Sequence, residues 1–99
     1  MTLDDLKGTV AQAEPPDGLA PALRALWHDA RGDWETAHRI AQDVQGEDGA
    51  WVHAYLHRKE GDIGNATYWY GQARQPVAAD SLSAEWDRIA GALLAHGCP

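Results

Sequence analysis

The five histidines are the residues of this 99-residue chain best suited to chemistry, and their spacing decides what that chemistry is. His53 and His57 lie four apart, so on a helix both imidazoles project from one face, and Glu60 continues that face one turn later. Two imidazoles and a carboxylate suit zinc, with His28 or His38 available as a fourth ligand. The segment is not His-Glu-x-x-His, because Ala54 stands where the catalytic glutamate would be. A bare His-x-x-x-His also arises by chance. His28 and His57 each stand four residues before a glycine, which equally fits a packing or dipole role at a helix end. Glu35 and His38 form one Glu-x-x-His step, whereas di-iron sites in helical bundles need two such steps and two further glutamates.

Other reactive sets are missing. His28-Asp29 lacks the additional ligands that a metal phosphohydrolase needs. There is no Gly-rich phosphate loop and no nucleophile elbow, and the only serines, Ser81 and Ser83, fall where a helix start would use them as caps. The single cysteine, Cys98, cannot close an internal disulfide and reads as an incidental thiol. Eight basic against fifteen acidic residues give a formal charge of −7, whose field repels a phosphate backbone or an anionic lipid surface. Nucleic acid and membrane are therefore not expected partners. The amino terminus has no basic start or apolar run of a secretory signal, and a cytoplasmic location is expected.

The elements that must position these residues are helical. Apolar residues make up 44% of the chain, with five Trp, three Tyr and no Phe, enough for one core. They recur at helical spacing and nowhere alternate as a strand would. Leu19, Leu23, Leu26, Trp27 and Ala30 form one stripe; Trp34, Ala37, Ala41 and Val44 form a second, with Ile40 at its edge. Trp51, Val52, Tyr55 and Leu56 are spread more widely around a third helix. Ile63, Ala66, Trp69, Tyr70 and Ala73 make the next, and Leu82, Trp86, Ile89 and Leu93 the last, after the cap candidates Asp80 and Ser81 and before Gly97 as a stop. A shorter helix over 2–12 opens with Thr2 and Asp5 spaced as a capping box. Breaks are expected at Glu14–Gly18, Gln45–Gly49 and Gln75–Asp80. At Gly32-Asp33 and Gly61-Asp62, Gly ends one helix in a left-handed conformation and Asp caps the next.

Those two corners are 29 positions apart, and superimposing them places Ala25, His28, Gly32, Asp33 and Ala37 on Ala54, His57, Gly61, Asp62 and Ala66. The pattern resembles the tetratricopeptide repeat, a helix–turn–helix unit of about 34 residues. From Ala50 to Pro76 the positions Ala54, Gly61-Asp62, Ala66, Tyr70 and Ala73 match in order. The first copy keeps Ala25, Gly32-Asp33 and Ala37. The resemblance implies an all-α single domain over 1–99, a short right-handed stack of five to six helices in antiparallel pairs. Repeats would span about 19–45 and 48–76, with capping helices over 2–12 and 81–96. Arg24, His28, His53 and His57 occupy positions where the family packs Leu or Tyr. The run Trp51–Asp62 also resembles segments of small bacterial proteins, which carries no activity with it.

In that family the first helix of each pair lines a concave surface. Carried over by residue, the resemblance places Trp51, Tyr55, Arg58 and Lys59 there, with Leu26 and Asp29 from the first copy. Aromatics beside cations suit a carboxylate-rich peptide. The opposite reading packs Trp51 and Tyr55 under a capping helix and leaves Arg58 and Lys59 to complement a helix end. Tyr68 falls with Asn65 and Gln72 and is expected to be exposed. The leading expectation is a non-enzymatic module binding a protein, peptide or partner helix, with no cofactor. The alternatives are a metal-binding protein or metal-dependent enzyme using zinc at His53, His57 and Glu60, and a self-associating protein that pairs as a homodimer.

Overall fold

The computed structural model describes residues 1–96, so Gly97 and Cys98 lie outside the described residues. Six helices follow in order: α1 (Leu3–Thr9), α2 (Pro21–Ala30), α3 (Trp34–Asp43), α4 (Glu47–Glu60), α5 (Ile63–Ala73) and α6 (Leu82–His96). The fold is all-α, with no strand among the described residues, and no described helix is long and apolar enough to cross a membrane.

Most helix starts use the caps that the sequence offers. The Thr2–Asp5 capping box closes in both directions. Ser81 Oγ accepts from the Ala84 amide at 3.0 Å, while Asp80 instead grips Arg88. The two Gly-Asp corners are built alike. The Asp33 amide donates to the His28 carbonyl and that of Asp62 to the His57 carbonyl, with Gly32 and Gly61 at φ +85° and +91°. Each Asp then accepts from the amide three residues on, at Thr36 and Asn65. These are the bonds by which a left-handed residue closes a helix end, a conformation that favours glycine. The four small residues of the superposition, Ala25, Ala37, Ala54 and Ala66, are all buried.

α2 packs on α3 and α4 on α5, and α3 packs on α4. α6 then lies against both α2 and α4, with α1 against α6. That makes α4 the central helix: every residue from Gly49 to His57 is buried, which is why its apolar residues spread around the cylinder instead of forming a stripe. Its charges follow the dipole, Glu47 and Asp48 at the start and Arg58 and Lys59 at the end. Three expectations need correction. The first helix stops at Thr9, with Val10 as its cap, short of the expected end at Gln12. Ile63 is solvent-exposed, since it occupies the first position of α5, outside the packed face. The break over Gln45–Gly49 is shorter than expected, because α4 begins at Glu47 and takes Gly49 into its first turn.

Gly49 is there because the chain crosses it closely. A Cβ at this position would stand 2.1 Å from the Val44 carbonyl oxygen, a backbone atom that cannot swing away. Gly49→Ala is therefore expected to cost about 1–3 kcal/mol in chemical denaturation despite the better helix propensity of Ala. Gly64→Ala in α5, where nothing lies within 4 Å of the added carbon, should instead gain roughly 0.5–1 kcal/mol.

Candidate functional site

The packing of α3 and α5 on α4 gathers three of the five histidines. Trp34 and His38 are one helical turn apart on α3, and their rings stack in parallel, 7° between planes with centroids 4.9 Å apart. The Trp34 indole N–H donates to the Leu56 carbonyl at 2.8 Å, fixing the pair against α4. His53 and His57 stand one above the other on α4, 4.7 Å between centroids. From α5, Trp69 stacks on the outer face of this group against His53, at 4.1 Å. The result is three imidazoles held between two indoles, with a ring nitrogen of each of His38, His53 and His57 within 4.8 Å of the other two.

The nitrogen edges face one another. His38 Nε2 and His53 Nε2 are 3.0 Å apart, so in the metal-free protein one ring donates its N–H to the lone pair of the other. His57 turns its Nδ1 to Glu60 Oε2 at 2.6 Å, which leaves Nε2 as its free nitrogen. Burial, reinforced by the charge that its neighbours His57 and His38 would carry, lowers the pKa of His53 to about 4. Burial and then His57 also lower that of His38, partly opposed by Glu60. Both rings are neutral near pH 7, and the one that donates frees its Nε2 for a metal by carrying its proton on Nδ1 instead.

These shifts have a measurable consequence. The folded state holds His53 neutral far below the ordinary histidine pKa of 6.5, so below that value the unfolded chain binds the proton first. Stability is complete above pH 6.5 and lost as pH falls towards 4, on the order of 2 kcal/mol. Urea denaturation of metal-free protein between pH 7 and 4.5 should show this slope, and His53→Gln should flatten it; equal slopes would mean that His53 is not the group responsible.

The remaining expected residues are distributed differently. Glu60 contacts His57 but is not among the three converging nitrogens. His28 stays apart, edge-on to Trp27, and of the two candidates for a further ligand only His38 joins the cluster. Glu35 is exposed on α3. Trp51 and Tyr55 are buried in the core. The Tyr55 hydroxyl donates to Asp29 at 3.1 Å, and burial followed by the Asp29 charge pushes its pKa up. Lys59 also bonds Asp29, at 2.9 Å. Arg58 meets Glu85 at 2.8 Å and the Asp80 carbonyl. Of the five side chains expected to face a partner, Tyr68 is the one whose ring is mostly in solvent. Beside Tyr55 and Lys59 opens a cleft of about 420 Å3, lined also by Lys7 and Trp86 among others, which neither Trp51 nor Arg58 reaches.

The apolar stripes put Trp34 and Trp69 on packed faces but do not mark them as walls of a histidine cluster. The signal for His38 was in the sequence: Trp34, Ala37, His38 and Ala41 follow i, i+3, i+4, i+7 spacing, which puts His38 on the packed face of its helix. Fold and site together define an all-α protein with a largely buried histidine cluster at a three-helix junction. No family model, curated protein or solved structure matches the chain.

Proposed function

We propose that this protein binds a divalent transition metal such as zinc through His38, His53 and His57, on a scaffold related to the tetratricopeptide repeat. The observation that carries the reading is the convergence of three imidazole nitrogens from two helices, with stacking indoles on either side. Two nitrogens on one tetrahedral zinc, each about 2.0–2.1 Å from the ion, stand roughly 3.3 Å apart. The 3.0 Å between His38 Nε2 and His53 Nε2 is a few tenths of an ångström short of that span, and the nitrogen of His57, within 4.8 Å of both, completes the set by closing on the ion. The repeat reading of the scaffold is supported by the two Gly-Asp corners, which make the same bonds 29 residues apart.

The test is metal binding itself. Metal-free protein titrated with zinc in a calorimeter should take up one ion per chain and release protons as pH falls. His38→Gln and His53→Gln should each remove most of the affinity, while His28→Gln and His96→Gln leave it intact. Uptake that is equal in all four variants would end the proposal.

Docking of a carboxylate-rich peptide is the second reading, and the cleft beside Tyr55 and Lys59 favours it. It ranks lower because the lysines of that cleft already have carboxylates, Lys59 on Asp29 and Lys7 on Asp87, both at 2.9 Å.

A further inference from the structure

Resting on the metal reading, we infer that Glu60 is the outer residue that orients His57, not a ligand, and that the fourth position on the metal is open to water or a small anion. The two nitrogens of an imidazole lie on different edges of the ring. A carboxylate bonded to Nδ1 therefore sits on the side away from an ion held by Nε2. Glu60 Oε2 makes such a bond at 2.6 Å. Being three residues along the same helix, Glu60 has its reach to His57 set by α4 itself.

Accepting the Nδ1–H does two things at once. It selects the tautomer whose lone pair is on Nε2, and it makes that nitrogen a better donor. The side chain of Glu60 is 39% exposed against 9% for that of His57, so the carboxylate works from the rim on a buried ligand. Among the described residues no fourth His, Cys, Asp or Glu joins the set formed by His38, His53 and His57. Asp62, which lies near His57 and Glu60, is committed to the Asn65 amide as the cap of α5. A four-coordinate ion on three protein nitrogens keeps one place for an exogenous ligand.

Cobalt(II) reports both parts, because its visible bands follow the identity and number of its ligands. Cobalt spectra and zinc competition against a chromophoric chelator would be recorded for the unmodified chain, Glu60→Ala and Glu60→Gln. Circular dichroism of the metal-free forms would check that each folds. Glu60→Ala is expected to bind one cobalt with unchanged bands and about 10–100-fold lower affinity. Glu60→Gln, whose amide oxygen still accepts the Nδ1–H, should recover part of that loss. Azide should shift the bands of all three. Altered bands in a folded Glu60→Ala would make Glu60 a ligand, and unchanged affinity would make it irrelevant; either overturns the inference. Two ions per chain, or no response to azide, would do the same. Should the unmodified chain bind no cobalt, the metal reading falls and takes this one with it, whereas the other failures leave it standing.

Discussion

Zinc added to the metal-free protein at about a thousand times its dissociation constant is expected to raise Tm by roughly 15–30 °C. An ion that binds only the folded state stabilises it by about 4 kcal/mol at that excess, and a chain of this length gains roughly 4–8 °C per kcal/mol. The effect is large because the ligands come from two helices that the unfolded chain does not hold together: His38 on α3 is brought to His53 and His57 on α4. Differential scanning fluorimetry with and without zinc measures it. The emission of Trp34 and Trp69, which stack on His38 and His53, offers a second readout at the same site. His38→Gln should abolish the shift while changing the metal-free Tm little, since His38 is only partly buried. His53→Gln should abolish it too, but from a lower starting Tm, because His53 is 6% exposed and covered by Trp69. Magnesium, which demands oxygen ligands, should produce no shift in any form. A zinc shift that survives both substitutions would place the ion elsewhere.

Local rules made the corners legible and tertiary packing hid the rest. Gly32-Asp33 and Gly61-Asp62 could be read as corners because one residue must take a positive φ and the next must offer an oxygen to a free amide. Both requirements are met within a few residues. The alanines at 25, 37, 54 and 66 were legible for the same reason, as small residues at matching distances from the corners. The course of α6 was not. Its stripe indicates that it buries a face, but not that the face lies across α2 and α4. Trp86, whose indole N–H donates to the Leu26 carbonyl at 3.0 Å, and Glu85, which takes Arg58, fix that course. The polar members of the stripes held the missing information. Glu85 takes the i+3 place in the stripe of Leu82, Trp86 and Ile89, and His38 the i+4 place in that of Trp34, Ala37 and Ala41. A charged or titratable residue inside an apolar stripe must find a partner on the element packed against it. His38 finds His53 and Glu85 finds Arg58.

Arg58→Ala is accordingly expected to destabilise the fold by about 3 kcal/mol, among the largest effects open to a single substitution here. Glu85 is fully buried, with Arg58 at 2.8 Å on one oxygen and the Tyr70 hydroxyl at 2.5 Å on the other. Burial and the bond to Glu85 push the pKa of Tyr70 up, so its hydroxyl stays protonated and donating. Removing the guanidinium leaves Tyr70 as the lone donor to a carboxylate that water cannot reach, and the cost is that of an uncompensated interior charge. If this is the cause, Arg58→Met combined with Glu85→Leu should return most of the loss, because a hydrophobic pair of similar volume replaces both charges. A double-mutant cycle by urea denaturation measures the coupling. The same experiment weighs the peptide-docking reading. Were Arg58 held in reserve for a partner, its truncation would change stability by no more than a few tenths of a kcal/mol, and the double variant would offer nothing to recover. A loss of several kcal/mol, recovered by the apolar pair, assigns Arg58 to the interior and makes reduced partner capture by an Arg58 variant a consequence of unfolding. Docking would then depend on Lys59 and on the cleft beside it.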